Sequence, residues 1–495
     1  VSSRSNATVG RRSAFFIAAA SAALAVAVAA PSAGAFTVGL EPYGSPSGSF
    51  TTAALRATNA GVLRTFAYWH QIAPTKPANP ANPADPAYKW IRLDADVRSA
   101  ARCGCGTTVN ILSAPSWAEG PRRASSARAG TWKPNAAQVG FFGAALATRY
   151  SGTTADPLGP AGRKLPRVRL YGGWNEPNYQ AYLTPRSEAV ELDRAMQNKF
   201  YDAIKAVQPT ATVALGGLGP YGSNKASSEI QPQVFLEQIL CLNGSWRLAT
   251  PVACPVKVKF DAADFHPYTW FGDPTTRAAS PDGGALGNAP DFRKLLDYAI
   301  KWKTVLPEGG KDLWATEFGW LTNAPGRKVS RTTTVGISPA SAGAYTSETL
   351  YRLWAAGVNV AVWYSTVDIK DPKPLTNSDH NWPGGLYFWP GLKTYCASSA
   401  VPCAKPAVQA MRFPVFATKS KLWAMSPCRG VGATVTFQSR VTATSAWVTA
   451  GTVAPGADGV ATKSWTAPTN ATLVRATGAG TSCSDTGVTV KIATH

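Results

Sequence analysis

Apolar and polar positions along this chain follow two rhythms, and the change between them falls near Pro414. From Phe36 to Pro414, short apolar runs alternate with longer amphipathic segments. Eight of the runs read as strands: 37–41, 61–69, 107–113, 168–171, 211–216, 260–265, 313–316 and 358–363. Between them, Ala136 to Tyr150, Ser187 to Val207 and Asp291 to Thr304 have the periodicity of helices that cover the outside of a parallel sheet. Eight strand–helix units predict an α/β fold closed as a (β/α)8 barrel. An open doubly wound sheet is the alternative, but no Gly-x-Gly-x-x-Gly follows the first strand. The proline-rich run Pro74 to Pro86 reads as a stiff rim loop, because the fold resumes at Trp90 to Asp94.

After Pro414 the chain is rich in Thr, Val, Ala, Gly and Ser in short alternating runs, which predicts a small all-β sandwich over 415–495. Its aromatics, Phe437, Trp447 and Trp465, are assigned to the buried core, and no binding site is claimed there. The catalytic-sized unit is then 36–414.

Residues 1–35 read as a secretory signal. Arg11 and Arg12 precede an apolar run from Ala14 to Ala30, and Ala33-Gly34-Ala35 supplies a small-residue cleavage site. A membrane anchor is the competing reading, but the run is Ala-rich and short for a span. Export implies an oxidising destination, so the eight cysteines are read as disulfides. Local or domain-restricted pairing joins Cys241 with Cys254, Cys396 with Cys403, and Cys428 with Cys483. A bridge between Cys103 and Cys105, one glycine apart, would be strained, and that pairing stays open. A metal at Cys103 and Cys105 lacks further ligands nearby.

The net charge is +21, and falls to +18 when Arg4, Arg11 and Arg12 leave with residues 1–35. Such a protein is attracted to anionic envelope polymers or acidic polysaccharides. Nucleic acid is not expected, since the basic residues are diffuse and no recognition motif occurs.

Candidate chemistry sits at two strand ends. Arg169 to Asn178 runs as a strand with two glycines that let the backbone bend, and ends in Trp174, Asn175, Glu176 and Pro177. Leu313 to Trp320 repeats the design, with Glu317 followed by a glycine. Two carboxyls at the ends of two strands supply the proton donor and the attacking group that glycoside hydrolysis needs. Asn175 adds an amide for a sugar hydroxyl, and Trp174 an apolar wall.

These two motifs, in this order and spacing, resemble the clan A glycoside hydrolases, in the manner of families 5 and 39, cellulase-like and β-xylosidase-like. The resemblance spans Phe36 to about Phe413. It departs in the loops Gly272 to Pro290 and Asp368 to Cys403. It implies Glu176 as acid/base and Glu317 as nucleophile. It also implies that Arg64 keeps Glu317 ionised, that Tyr268 donates a hydrogen bond to Glu317, and that His266 lines the cleft beside Glu176. Trp363 is implied as the floor under the sugar. Trp117 fits a further wall, and Trp320 fits either subsite or core.

The reading is a secreted, monomeric, retaining glycoside hydrolase acting on a polysaccharide or oligosaccharide, needing no metal or organic cofactor, and with no membrane partner once the signal is cleaved. The alternatives are a transglycosylase that remodels wall glycan, which shares every catalytic residue, and a barrel that only binds glycan.

Overall fold

The computed structural model describes residues 35–494 apart from 224–228, 255, 271, 323–335, 370–382 and 391–400. The expected signal segment and Cys396 therefore lie outside the described residues.

Eight strands, β1 (Thr37–Leu40), β2 (Val62–Tyr68), β3 (Gly106–Leu112), β4 (Leu170–Trp174), β5 (Thr212–Ala214), β6 (Ala262–Phe265), β7 (Asp312–Phe318) and β8 (Val358–Trp363), form a closed barrel in sequential order. Every pairing around it is parallel. The predicted strands all occur, with ends displaced by a few residues. The largest displacement is at β4, which includes Gly172, Gly173 and Trp174 where a bend was expected.

The pairing of β4 with β3 slips between Gly172 and Trp174, an irregularity at the expected place, and the glycines also serve space. A Cβ on Gly172 would sit 2.1 Å from the amide nitrogen of Asn110 on β3, and one on Gly173 would sit 2.3 Å from Oε1 of Gln197. They let polar side chains pass where any larger residue would collide.

Val62, Ala214, Ala262, Trp314, Val360 and Val362 form one small buried cluster. Strands β2 and β5 are not neighbours, so residues from both can meet only through the barrel interior. This cluster plugs the barrel beneath the polar residues at its carboxyl end. A much larger apolar cluster fills the space between strands and the surrounding helices. Those helices include Ala136–Arg149, capped by Asn135, Ala189–Val207, Ala289–Lys301 and Pro339–Ala355, capped by Ser338.

From Val415 the architecture changes to two antiparallel sheets. One holds β9 (Val415–Ala417), β10 (Lys421–Met425) and β13 (Val460–Ser464). The other holds β11 (Thr434–Arg440), β12 (Val448–Val453), β14 (Leu473–Gly480), β15 (Cys483–Thr486) and β16 (Val490–Lys491). Val415, Ala417, Leu422 and Ala424 point into the core between the sheets, with Phe437 and Val474 opposite. The alternate residues Phe416, Trp423 and Met425 join the core of the barrel instead, and Phe416 stacks 4.2 Å from Tyr351. With a side-chain period of two, β9 and β10 are thus apolar on both faces and weld the sandwich to the barrel. Residues 33–495 accordingly form one compact unit.

Two aromatic assignments hold and one is corrected. Phe437 is fully buried, and Trp465 packs against the same core. Trp447 is absent from that core and lies half-exposed against Arg440 and Arg475. Its strand neighbours explain this: Gln438 and Arg440 occupy the outward positions of β11, whose buried positions are Val435, Phe437 and Ser439.

Disulfides join Cys241 to Cys254 and Cys428 to Cys483, and Cys103 is bridged to Cys105, the pairing left open by the sequence. No helix among the described residues is long and apolar enough to cross a membrane.

Candidate active site

The carboxyl ends of six strands bring one buried polar cluster together. Glu317 closes β7, and Asn175 and Glu176 follow β4 directly. His266 and Tyr268 follow β6, Arg64 lies within β2, Asn110 within β3, and Glu41 follows β1. This is the end of a parallel barrel where loops leave space for ligands.

Arg64 is the hub. Its Nη1 donates to Oε1 of Glu317 at 2.6 Å and to Oε2 of Glu41 at 2.9 Å. Its Nη2 donates to Oδ1 of Asn175 at 2.9 Å, and its Nε to Oδ1 of Asn110 at 3.2 Å. The guanidinium is fully buried, so it acts on these partners and touches no solvent-borne ligand. A planar fork with five donors can hold four acceptors in fixed directions at once, which an ammonium could not.

Glu317 also accepts from the hydroxyl of Tyr268 at 2.9 Å, through Oε2. Oε1 of Glu176 is hydrogen-bonded to Nδ1 of His266 at 2.8 Å. The other ring nitrogen of His266 faces Thr316 Oγ1 at 3.3 Å and Arg64 at 3.5 Å. Behind it, Asp264 takes both the hydroxyl and the backbone N–H of Thr316. One carboxylate oxygen each of Glu176 and Glu317, with a nitrogen of His266, lie within 4.8 Å of one another. Only about a tenth of each glutamate side chain is exposed, 9% and 10%.

Burial alone would raise the pKa of both glutamates, but their neighbours divide them. At Glu317 the charges of His266 and Arg64, with the hydrogen bonds from Arg64 and Tyr268, outweigh burial and hold the group below its ordinary range. At Glu176 burial wins, aided by the charge of Glu317, and the group is raised despite His266. Burial depresses His266, yet the charge of Glu317 and the hydrogen bond and charge of Glu176 leave it net raised. The surroundings thus move the two carboxyls in opposite directions within a few ångströms, Glu317 toward the ionised form and Glu176 toward the protonated one, the pattern that separates nucleophile from acid.

The position of Glu176 is itself demanding. Its φ is +44°, a left-handed conformation unusual for a non-glycine residue and costing on the order of 1–3 kcal/mol. Its backbone N–H is held by the carbonyl of Gly217 at 2.9 Å. A Cβ at Gly217 would come within 2.1 Å of Nε2 of His266, so that glycine is what lets the β5 loop close over the pair.

Glu176, His266 and Glu317 could also be read as metal ligands. The donor set does not fit that reading, because the Arg64 guanidinium already occupies the neighbourhood of Glu317 at 2.6 Å and would repel a dication.

Trp363 and Trp174, expected at the cleft, need correction, and Trp320 takes the core alternative of its two readings. Trp363 and Trp320 are 1% and 0% exposed, and their indole N–H groups donate to the carbonyls of Gly384 and Gly272. They tilt against each other at 5.8 Å and support the strand ends, with no face open to a sugar. Trp174 is likewise buried, at 1%, donating to the carbonyl of Tyr182. Trp117 remains partly exposed, edge-on to Trp69 and hydrogen-bonded to Ala73.

Two tyrosines stand near the glutamates. Tyr364, one residue past Trp363, is partly exposed, stacks on Tyr43 at 6.4 Å and lies within the electrostatic reach of Glu317 and Glu41. Tyr182 feels the charges of both Glu176 and Glu317. Beside Glu41 a cavity of about 260 Å³ opens, lined among others by Tyr43, Tyr68, Thr65 and Arg92.

Sequence reasoning missed Glu41, Asn110, Asp264 and Tyr364. The first obeys the same strand-tip rule that found the two glutamates. Asn110 is a polar residue inside an apolar run, and such a residue on a barrel strand either points inward to a partner or is misassigned.

No family model matches the chain, and no curated protein matches it in sequence. Solved structures do match in shape. A family 39 glycoside hydrolase from Bacteroides cellulosilyticus WH2 superposes with a TM-score of 0.52 at 16% identity, over 83% of this chain and 78% of that one. A GH30 endoxylanase from Clostridium papyrosolvens C71 gives 0.44 at 10% identity, over 90% and 96%. A beta-glucuronidase from Bacteroides uniformis gives 0.40 at 10% identity, and this chain spans only 43% of its length. The fold is therefore a TIM barrel like that of the family 39 glycoside hydrolase, followed by antiparallel sheets.

Proposed function

We propose that the protein is an exported, retaining O-glycoside hydrolase acting on a polysaccharide or oligosaccharide. One observation carries the reading: two carboxyls at the tips of β4 and β7 have oxygens within 4.8 Å, and their surroundings shift their pKa values in opposite directions. Retaining enzymes place their carboxyls about 5–5.5 Å apart, whereas inverting ones leave about 6.5–9.5 Å for a water. The likeness to a family 39 glycoside hydrolase supports the fold that this chemistry uses. The disulfides and the apolar segment within 1–35 support export.

Glu317 attacks the anomeric carbon as Glu176 gives its proton to the departing oxygen, and a glycosyl ester forms on Glu317. Glu176, now ionised, takes a proton from water, which attacks the same carbon and releases Glu317. Arg64 and Tyr268 keep Glu317 ionised before attack. Because Oδ1 of Asn175 is taken by Arg64, its Nδ2 is the end left to donate to a sugar hydroxyl.

The test compares wild type with Glu317→Ala and Glu176→Ala for product release from a panel of plant, fungal and bacterial polysaccharides. Release by the wild type with retained anomeric configuration, lost in both variants, is expected. Inverted product overturns the retaining mechanism. Lengthened oligosaccharides mark transfer to sugar acceptors, and equal behaviour of all three proteins overturns the enzymatic reading.

A further inference from the structure

The outward face of the five-stranded sheet carries a feature that the barrel chemistry does not use. Arg440 on β11 and Arg475 on β14 both lie against the indole of Trp447, with guanidinium carbons 4.2 and 4.4 Å from the ring centroid. Gln438 pairs with Arg475 and Arg440 with Leu473. The two arginines therefore occupy diagonal positions on one face, with backbones about 7–8 Å apart.

Neither guanidinium makes an ion pair with a carboxylate among the described residues. Arg475 donates through Nε to Oε1 of Gln438 at 2.8 Å. Nε of Arg440 is buried without an acceptor, so the indole, and no hydrogen-bonding partner at that atom, holds this side chain. Between residues 415 and 495 there are seven lysines and arginines against two acids, Asp458 and Asp485. Asp485 is engaged by Arg412, and Asp458 accepts from the backbone of Phe36.

The indole attracts each cation, but two like charges gathered on one ring without a carboxylate between them still repel, and an anion would relieve that repulsion. The rotamer freedom of both side chains is already spent against Trp447, which lowers the cost of ordering them on a ligand. Thr436 and Thr452, hydrogen-bonded to each other at 2.9 Å, and Thr477 extend the same face with hydroxyls. Fixed guanidiniums with Gln and Thr beside them suit a polymer that carries carboxylates among hydroxyls.

We infer that this face of the sandwich binds an anionic polysaccharide of the polyuronate type, holding the barrel near polymeric glycan. The choice of a glycan over another polyanion rests on the glycosidase reading. A second attachment point raises the effective concentration of chain at the barrel without any new contact in the cleft.

The experiment measures binding of the full chain to polygalacturonate, a neutral dextran and a short DNA duplex. It uses the Glu317→Ala background, so that binding is scored without turnover. Polygalacturonate is expected to bind, more weakly as salt rises, with dextran unbound. Arg440→Gln and Arg475→Gln are each expected to weaken binding about tenfold, and Trp447→Ala to weaken it as well. Thermal unfolding of the variants checks that the sheet remains folded. No binding to polygalacturonate, or binding unchanged in the double arginine variant, overturns the inference. DNA bound as tightly as polygalacturonate, and lost in the same variants, overturns the glycan assignment in favour of a general polyanion site. Binding of polygalacturonate in that background, with no product released from any glycan by the wild type, leaves this site standing and sinks the enzymatic reading alone.

Discussion

Glu41→Gln isolates the third carboxyl of the cluster. Glu41 is 2% exposed and shares Nη1 of Arg64 with Glu317, at 2.9 and 2.6 Å. Burial pushes its pKa up, Arg64 opposes, the charge of Glu317 adds to burial, and the balance stands at about 8. One cation between two carboxyls is best matched when one of them is neutral. At pH 6 Glu41 therefore holds its proton and the charge of Arg64 serves Glu317.

The sign follows from which state binds the proton more tightly. With a folded pKa near 8 against 4.5 for the free group, the folded protein does. That stabilisation is complete below the unfolded pKa and is lost as pH rises through the folded one. At about 1.4 kcal/mol per unit, its upper bound is about 5 kcal/mol between pH 4.5 and 8. Gln keeps the shape and one acceptor but has no proton to lose. Denaturant unfolding of wild type and variant, followed from pH 5 to 9, is expected to show the variant gaining on the wild type as pH rises. Activity at pH 6 should be largely kept, because there the wild-type group is already neutral. Parallel stability curves across the whole range would refute the reasoning, since they would mean that Glu41 titrates alike in folded and unfolded chains.

Tyr268→Phe removes a 2.9 Å hydrogen bond to Glu317. With a bond to a charged group contributing about 1.5–3 kcal/mol, kcat/KM should fall roughly ten- to hundredfold. Its acidic limb should move to higher pH, because the nucleophile is then less easily ionised; a pH–rate profile reads both. Arg64→Met leaves Glu41 and Glu317 buried without their cation, and breaking such a pair costs about 3–5 kcal/mol. Thermal unfolding should show the loss alongside collapsed activity. Removing the Cys428–Cys483 bridge, which spans 55 residues, releases about 4 kcal/mol of chain entropy to the unfolded state in the loop-closure picture. The Tm of the double Ala variant should drop, and an unchanged Tm would show that the weld of β9 and β10 to the barrel holds the sandwich by itself. Tyr364→Ala should raise KM with folding intact if that ring lines the cleft.

The barrel was legible because its signal is repeated eight times. Each strand is a short apolar run and each helix an amphipathic one, so an error of two residues at any end leaves the count intact. Strand β4 shows the limit. Its glycines looked like a hinge, and the pairing with β3 does slip between Gly172 and Trp174, but only the side chains of Asn110 and Gln197 lying against them reveal that they also make room. The sandwich was legible by its alternation, and Trp447 was misplaced because an aromatic in a β run is apolar by type. Its exposure was decided by Arg440 and Arg475, one on a neighbouring strand, whose cations cover the ring.

The site divides by the same logic. Glu176, Glu317, His266 and Tyr268 are polar residues at strand ends and Arg64 is one inside a strand, and polarity in an apolar context is visible in one dimension. The tryptophans are apolar throughout, so nothing in the sequence separates a ring under a sugar from a ring under a loop; Trp363 and Trp320 proved to be the latter. Glu41 obeyed the strand-end rule and was still passed over, because a pair of carboxyls already satisfies the chemistry of bond cleavage. Its role appears only when charge is balanced around Arg64. A buried cation held 2.6 Å from one carboxylate and 2.9 Å from a second carboxyl sets which of the two carries charge, and through that, how firmly Glu317 stays ionised. The protonation states of Glu176 and Glu317 are therefore properties of the five-membered group with Glu41, Arg64 and His266, and a change at any one of them should move the pH dependence of all.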